Sequence, residues 1–303
     1  MSSPLAITRR PATREDAAAV AALLADDDTA LYGQPSRLSP VDVHSWWARV
    51  DLEHDSWLLE EDGRPVAVGW FERHDPLGIH IGVVAQGAKG RGLGGKLVDL
   101  GEDRALAVDA PRVHTWAPAP DHAAAELFES RGYREVRRFY DMAIELTAPV
   151  PEPSLPDGLA IEVFAEEDAR VFHDAMGEAF EDHWEFHPQP FEQWWEQKQA
   201  APDYDPTLWF LIRDDGEVAA VVRNDPERNG GGYVGALGVR RPWRGRGLGK
   251  ALLLHTFAEF LRRGQTRVTL GVDAANPTGA TKLYERVGMH VETEATVFEK
   301  ALA

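Results

Sequence analysis

The segment around Arg244 has the residue types and spacing needed to bind an anion of the pyrophosphate kind. It joins a strand-like run to an amphipathic helix, and a helix N-terminus offers unpaired amides and the positive end of a dipole to anions. Glycines let the backbone approach a phosphate closely, and basic side chains add positive charge. The residues that we predict to line this loop are Arg244, Gly245, Arg246, Gly247, Leu248, Gly249 and Lys250.

An earlier part of the chain repeats this loop. VAQGAKGRGLG, which begins at Val84, matches VRRPWRGRGLG, which begins at Val239. Further along, LFESRG from Leu127 matches LYERVG from Leu283. Because the matches keep their order and nearly constant spacing, they indicate a duplicated unit of about 150 residues, the size of a domain. A possible second anion site is therefore formed by Lys89, Gly90, Arg91, Gly92 and Gly94.

Each copy has the pattern of an α/β domain with a mixed sheet. We predict a first domain over residues 1–148, a proline-rich linker over 149–158 and a second domain over 159–303. The strands predicted in the second domain are Ile161 to Phe164, Leu208 to Arg213, Glu217 to Arg223, Tyr233 to Val239, Arg267 to Val272 and Val291 to Phe298. The helices predicted there are Glu167 to Phe180, one around Trp194 and Trp195, Gly247 to Arg263, and one that Asn276 opens and Gly288 ends.

Composition argues against several other classes of protein. The chain has 32 Lys and Arg against 50 Asp and Glu, a net charge of −18, whereas binding to a nucleic-acid backbone needs a basic face. It has no cysteine, which excludes disulfides, thiolate metal sites and acyl-cysteine intermediates. No apolar run approaches the ~18 residues of a membrane span, and the N-terminus lacks the order of a secretory signal. We expect a cytoplasmic protein with no nucleic-acid or membrane partner.

Arg244, Gly247 and Gly249 fit the (Gln/Arg)-x-x-Gly-x-(Gly/Ala) loop of the GNAT superfamily of N-acetyltransferases, which the chain resembles over essentially its full length. The arrangement is that of two GNAT domains in tandem, similar to the mycothiol synthases. The resemblance implies acetyl-CoA as donor and direct transfer to an amine. It also implies that strand-edge amides from Leu237 to Val239 hold the pantetheine and the thioester, and that Tyr284 protonates the leaving thiolate.

The two copies differ where this chemistry would occur. Phe128 stands opposite Tyr284 and lacks its hydroxyl, and Lys89 stands where the family prefers Gln or Arg. We therefore expect the first domain to be catalytically silent, while its binding of CoA stays open. Asn276 has two interpretations of equal weight, a contact with the cofactor and a helix cap.

An acidic and aromatic stretch, FEDHWEFHPQ from Phe180, connects the first two helices of the second domain. Family members build the acceptor pocket in this connection, so Glu181, Asp182 and Trp184 are predicted to bind a cationic acceptor, against the alternative of a solvated acidic loop. His183 and His187 are not in a zincin order and Pro188 follows at once, so no metal is predicted. Tyr233 occupies the place of the Glu base of some members, and the candidates for the base are Glu178, Glu181, Asp182, His183 and water.

The sequence thus predicts an acetyl-CoA-dependent N-acetyltransferase acting on the primary amine of a small molecule, such as an amino sugar, an aminoglycoside or a polyamine. A catalytically inert protein that binds or senses acyl-CoA is one alternative, and acetylation of proteins or peptides is another. The oligomeric state does not follow from the sequence.

Overall fold

The computed structural model describes residues 6–201 and 203–302. The strands are β1 Thr8–Arg10, β2 Ser56–Glu61, β3 Arg64–His74, β4 Leu77–Val84, β5 Arg112–Pro118, β6 Arg134–Glu145, β7 Ala160–Val163, β8 Phe210–Asp214, β9 Glu217–Arg228, β10 Gly231–Val239, β11 Arg267–Asp273 and β12 His290–Ala301. The helices are α1 Ala17–Tyr32, α2 Pro40–Trp46, α3 Leu52–Asp55, α4 Leu93–Ala107, α5 His122–Ser130, α6 Ala169–Phe180, α7 Phe191–Gln199, α8 Leu248–Arg262 and α9 Ala280–Arg286. Within the described residues, no helix is long and apolar enough to cross a membrane.

The chain forms two compact units whose boundaries differ from the predicted ones. The first unit consists of residues 1–139 and 293–303, and the second of residues 140–292. The difference arises at two long strands: β6 passes from the first unit into the second, and β12 passes from the second into the first. The repeat in the sequence places a boundary between the copies, but each unit completes its sheet with a strand from the other copy.

In the first unit the sheet has the order β1-β2-β3-β4-β5-β12. β4 and β5 are parallel, and the remaining neighbours in this order are antiparallel. Leu97 of α4 belongs to the apolar core on one face, which also contains Phe71 and Phe128. Trp47 and Trp70 belong to the core on the opposite face, together with apolar residues of α1. Helices therefore cover the sheet on both faces.

In the second unit the order is β6-β11-β10-β9-β8-β7. β10 and β11 are parallel, and β7 to β10 are antiparallel neighbours. β8 and β9 form the predicted hairpin, since Asp214 pairs with Glu217 across a turn in which Asp215 and Gly216 have positive φ. The core unites Phe172 of α6 and Phe257 of α8 with the apolar residues of β8 and β9.

The last helix and the linker segment each show a feature that the sequence did not predict. Asn276 does not open the last helix, because α9 begins at Ala280 and its N-cap is Gly279, in the left-handed region with φ +72°. Residues 149–158, which we expected to form a proline-rich linker, contain neither helix nor strand, and Val150 and Leu155 pack against the core of the second unit. The linker is therefore attached along that unit.

Candidate functional site

β10 and β11 separate at one end of the second unit. Their pairing joins Gly232 with Val268 and Tyr233 with Thr269, and goes no further among the described residues. β10 continues beside β9 as far as Val239, with a bulge between Val234 and Ala236. The edge of β10 that faced β11 is therefore unpaired beyond the bulge, where Leu237 and Val239 lie. We call this opening the fork.

The Arg- and Gly-rich loop follows β10 directly. Gly245 and Gly247 have φ of +80° and +85°, which only glycine adopts without strain, and they turn the chain so that α8 begins at Leu248. A Cβ at either glycine would have no atom within 4 Å, so the space in front of the backbone is open. The amides of residues 245–250 donate no hydrogen bond to a described residue. Unpaired amides at a helix start are donors of the kind that a pyrophosphate binds.

The cationic side chains of the loop have separate tasks. The guanidinium of Arg244 donates to the carbonyls of Val239 (3.2 Å) and Ala179 (3.3 Å), and so ties the loop to β10 and α6. Arg246 pairs with Asp214 at 3.3 Å. Lys250 is exposed and forms no ion pair within residues 6–201 and 203–302. Of these cations, Lys250 is the one that needs no rearrangement to meet a phosphate.

Packing of α9 against α8 carries Tyr284 into the core. A Cβ on Gly249 would lie 3.1 Å from Leu283 Cδ2, so the missing side chain allows this close approach. Tyr284 is 8% exposed, and its hydroxyl forms no hydrogen bond with a described residue. Burial, with Tyr233 nearby, raises the pKa of Tyr284 to about 12. The phenol therefore keeps its proton at neutral pH and can donate it.

Asn276 lies between β11 and α9. Its Oδ1 accepts from the amide (2.9 Å) and the hydroxyl (2.6 Å) of Thr278, which stabilises a turn and not a helix start. Its Nδ2 makes no hydrogen bond to a described residue. The oxygen of the Asn276 side chain thus stabilises the turn before α9, and its Nδ2 is available to donate to another molecule.

Acidic residues at the end of α6 and just after it pair with the two arginines that follow β10. Arg241 pairs with Glu181 at 3.0 Å and with Asp182 at 2.8 Å, and Arg240 pairs with Glu178 at 2.6 Å. These contacts partly neutralise the charges that were predicted to attract an ammonium group. Trp184, in the same segment, is half-buried.

His183 lies in the same segment but forms no ion pair with a described residue. Its ring centroid is 4.2 Å from that of Phe180. Burial lowers the pKa of His183; Asp273 and Asp182 act in the opposite direction, and Arg244 adds to the lowering. Asp273 ends β11 and Arg244 follows β10, so two of the charged groups that act on the pKa of His183 flank the fork.

The first unit contains the same backbone arrangement. Gly90 and Gly92 have φ of +77° and +81°, and a Cβ at either would have no atom within 4 Å. Lys89 contacts Asp27 at 2.6 Å, just as its counterpart Arg244 turns back toward the body of the second unit. Phe128 is buried, with its ring centroid 5.5 Å from that of Phe298. The open glycine turn is thus repeated, while the hydroxyl is not.

One polar pair in the second unit was not singled out from the sequence. Arg223 and Asp225 of β9 form an ion pair, and their side chains are only 17% and 13% exposed. The signal was two charges at alternate positions at the end of an apolar strand, in the sequence VAAVVRND. Alternate positions of a strand share one face of the sheet, so the pair lies on a single face.

Comparison with known proteins connects this geometry with a family. The family model described as "Acetyltransferase (GNAT) family" matches residues 19–133 and again residues 170–289. The mycothiol acetyltransferase of Thermobispora bispora is 34% identical over an alignment of 240 residues that covers 77% of this chain and 79% of that protein. The mycothiol acetyltransferase of Acidothermus cellulolyticus is 30% identical over an alignment of 264 residues that covers 80% of this chain and 78% of that protein.

Solved structures show the same relationship. The GCN5-related N-acetyltransferase from Sphaerobacter thermophilus has 34% identity and a TM-score of 0.85, covering 97% of this chain and 95% of that chain. A tandem GNAT protein from the clavulanic acid biosynthesis pathway has 16% identity and a TM-score of 0.77, covering 98% of each chain, and shares the fold. Two matches to the family model and relatives that extend over most of the chain lead to one conclusion: this protein is an N-acetyltransferase that belongs to the acetyltransferase (GNAT) family.

Proposed function

We propose that the second unit transfers the acetyl group of acetyl-CoA to the primary amine of a small molecule. The observation that carries this proposal is the fork between β10 and β11, which opens next to the unpaired amides of residues 245–250. An extended pantetheine arm fits the unpaired edge of a strand, and a pyrophosphate fits a helix N-terminus. GNAT acetyltransferases use acetyl-CoA as donor, which agrees with this fit.

In this proposal the donor lies along the second unit with its phosphates at the loop and its thioester in the fork. The amides of Leu237 and Val239 hold the pantetheine and the thioester carbonyl, and those of Gly245 to Lys250 hold the pyrophosphate. Lys250 adds charge to the phosphates, and Arg244 and Arg246 keep the loop in shape through Val239 and Asp214. Asn276 offers its Nδ2 to the donor.

The chemical step joins the amine nitrogen to the thioester carbon and breaks the bond from that carbon to sulfur. Tyr284 gives its proton to the departing thiolate, and the nitrogen loses a proton as the amide forms. We assign that proton to His183, because Glu178, Glu181 and Asp182 are paired with arginines and His183 is not. A neutral imidazole can accept it directly or through one water.

A small-molecule acceptor is supported by the relatives that cover most of this chain, which are mycothiol acetyltransferases. The experiment is an assay of CoA release with separate panels of amino sugars, aminoglycosides, polyamines and peptides, with acetylated products identified by mass spectrometry. Turnover of a small amine at rates well above that of peptides supports the proposal. Turnover of peptides alone favours a protein acetyltransferase, and tight binding of acetyl-CoA with no turnover of any amine favours an acyl-CoA sensor.

A further inference from the structure

The pair Arg223 and Asp225 lies beside the fork and serves neither the fold nor the binding of acetyl-CoA as described above. We propose that it is the acceptor-binding site of the second unit. We also propose that it selects an amine with an oxygen on the carbon next to the one that bears the nitrogen, either as a hydroxyl or as part of a carboxylate. This inference rests on the proposed acetyl transfer in the second unit and names the substrate class for it.

The register of β9 and β10 fixes the face on which the pair lies. Val221 of β9 pairs with Gly238 of β10, where an added Cβ would lie 2.8 Å from Ala179 of α6. Arg223 and Asp225 follow Val221 at alternate positions and share its face. Asn224 faces the other way, where its Nδ2 lies 3.2 Å from Thr256 Oγ1 of α8. The pair therefore occupies the α6 face of the sheet.

The pair also lies at the level where the fork begins. Arg223 pairs with Ala236 and Asp225 with Tyr233, which is the last residue of β10 joined to β11. A Cβ on Gly235, the extra residue of the bulge, would overlap the guanidinium of Arg223. The guanidinium thus rests on the bulge, next to the unpaired edge at Leu237 where the thioester is proposed to lie.

The hydrogen-bonding capacity of the pair is mostly unused. A guanidinium has five N–H donors, and among the described residues Arg223 uses Nη1 toward Asp225 Oδ1. The other carboxylate oxygen, Oδ2, has no donor among them. Partial burial of a cation and an anion is costly unless their remaining valences are satisfied. A ligand that accepts from the guanidinium and donates to the carboxylate would satisfy both.

The first unit offers the comparison that separates structure from function. Trp70 has the position of Arg223 in the first unit. Val84 ends β4 and pairs with Ala67, just as Val239 ends β10 and pairs with Ala220. Trp70 and Arg223 each lie three residues beyond that alanine. Trp70 is 3% exposed, and its ring lies 6.2 Å from that of Trp46. In the unit without the tyrosine hydroxyl, an indole takes the place of the guanidinium, whereas Glu72 takes the place of Asp225 and contacts Arg49 at 3.6 Å and His74 at 2.9 Å. The fold alone therefore does not require the arginine.

The chemistry of the pair defines the acceptor. Oδ2 of Asp225 can accept a hydrogen bond from the amine that reacts. The guanidinium of Arg223 can donate to an oxygen on the carbon next to the one that bears this amine. Amino sugars provide that oxygen as a hydroxyl, and α-amino acids provide it as a carboxylate. A plain alkylamine lacks it and leaves the guanidinium without an acceptor.

The test compares three amines, glucosamine, alanine and cyclohexylamine, with the full-length wild type and with Arg223→Met and Asp225→Asn. A lost hydrogen bond to a charged group lowers affinity by about tenfold or more. We expect Arg223→Met to raise KM at least tenfold for the preferred oxygen-bearing amine and to leave KM for cyclohexylamine within twofold. Whether glucosamine or alanine is affected distinguishes a hydroxyl from a carboxylate.

Arg213→Met is the matched control, because Arg213 of β8 pairs with Glu162 and Asp168 away from the fork. It removes the same side chain and should leave the ratio of kcat/KM between the amines unchanged. If Arg223→Met does not fold, Arg223→Lys replaces it, because lysine keeps the charge but lacks the planar set of donors. Arg223→Lys and Asp225→Asn should each shift the ratio of kcat/KM between the amines, by less than Arg223→Met. An unchanged ratio in the folded variants overturns the inference while wild-type turnover still supports the proposed function. Wild-type failure on every small amine, both these three and the panels used for the proposed function, overturns the proposed function itself, and this inference with it.

Discussion

The hydroxyl of Tyr284 has no partner among the described residues, although its ring is packed in the core. We expect Tyr284→Phe to lower kcat by about 10² to 10⁴, the range for loss of a general acid. The ring and its packing remain, so acetyl-CoA affinity and thermal stability should stay near those of the wild type. The measurements are steady-state kinetics under conditions where chemistry limits turnover, and calorimetry.

Tyr204→Phe is the control for this change. The hydroxyl of Tyr204 is buried with no hydrogen-bond partner in the described structure, and its ring lies against Trp209. Removing it should leave kcat unchanged and should not lower stability. A wild-type kcat in Tyr284→Phe, under conditions where chemistry limits turnover, would show that Tyr284 acts only through packing.

His183 provides a prediction about pH. Because burial lowers its pKa below the ordinary histidine value, the proposed base stays neutral to a lower pH than a free imidazole does. The rate should therefore be at its plateau at neutral pH and fall on the acid side of about 6.5, the unperturbed value. His183→Gln should remove this acid limb and lower kcat/KM by about 10² or more. A pH profile of kcat/KM with the same acid limb in the variant would exclude His183 as the base.

Single residues show how far the sequence could be interpreted. The glycines of the loop are placed by backbone geometry, which spacing alone predicts. The roles of charged side chains depend on partners far away in sequence: Arg244 turns to the carbonyl of Ala179, and Arg241 meets Glu181 and Asp182. A role for Arg223 could not be predicted, because its position beside the fork depends on the register of β9 and β10 and on the bulge at Gly235.

At the scale of elements, the turn from β10 into α8 is the part that the proposed donor site requires. Gly247 has φ +85° and open space in front of it, and Gly264, at the other end of the same helix, has φ +84° and equally open space. Alanine at either position forces a residue with a Cβ into the left-handed region, at a cost of about 1 to 2 kcal/mol. We expect both variants to lose similar stability, but only Gly247→Ala to weaken acetyl-CoA binding, measured by calorimetric titration. Equal affinities in the two variants would contradict the placement of the phosphates.

The elements that the sequence predicted well are those governed by local signals. The hairpin of β8 and β9 depends on the turn at Asp215 and Gly216, and α8 on its amphipathic pattern. The start of α9 was wrong because an Asn before a Pro resembles a helix cap, whereas Asn276 closes a turn with Thr278. Local signals cannot distinguish these two uses of the same side chain.

Packing of α4 on β4 encloses His80, which gives a prediction about acid stability. His80 is 1% exposed, an added Cβ on Gly101 would lie 2.5 Å from its ring, and both ring nitrogens lack partners in the described structure. Burial lowers the pKa of His80 to about 4. A depressed folded-state pKa means that this contribution to stability is complete above the unfolded value of about 6.5 and is lost as pH falls toward 4.

The loss amounts to about 3 kcal/mol at most. We expect the free energy of unfolding, measured with urea, to fall between pH 6.5 and 4.5, and the fall to be smaller in His80→Leu. The control is His122→Leu, which changes an exposed histidine in the same unit. The same slope in wild type and His80→Leu would show that other groups govern acid unfolding.

For the whole molecule, duplication has left two units with the same backbone and different chemistry. Both retain the glycine loop and the parallel pair of strands, which are requirements of the fold and of anion binding. They differ at the side chains that would act on an acceptor: Tyr284 against Phe128, and Arg223 against Trp70. Sequence repeats predicted two domains, but not that β12 completes the first sheet, because strand partners are determined by tertiary pairing and not by order along the chain.

This exchange determines how the silent unit must be tested. β5 pairs with β12 from Ala295↔Pro118 to Ala301↔Arg112, so a fragment that ends near residue 148 would expose an edge of its sheet and fail for reasons unrelated to catalysis.

The full chain offers a better pair of variants, Gly92→Ala and Gly247→Ala, since the two glycines have φ of +81° and +85° and equivalent positions at the start of α4 and α8. We expect Gly247→Ala to lower kcat/KM for acetyl-CoA by about tenfold or more, because the helix start no longer fits the phosphates. Gly92→Ala should leave kcat/KM unchanged, because Phe128 has no proton to give. Calorimetric titration of the same two variants counts the acetyl-CoA sites, and a loss of turnover in Gly92→Ala equal to that in Gly247→Ala would show that the first unit takes part in the reaction.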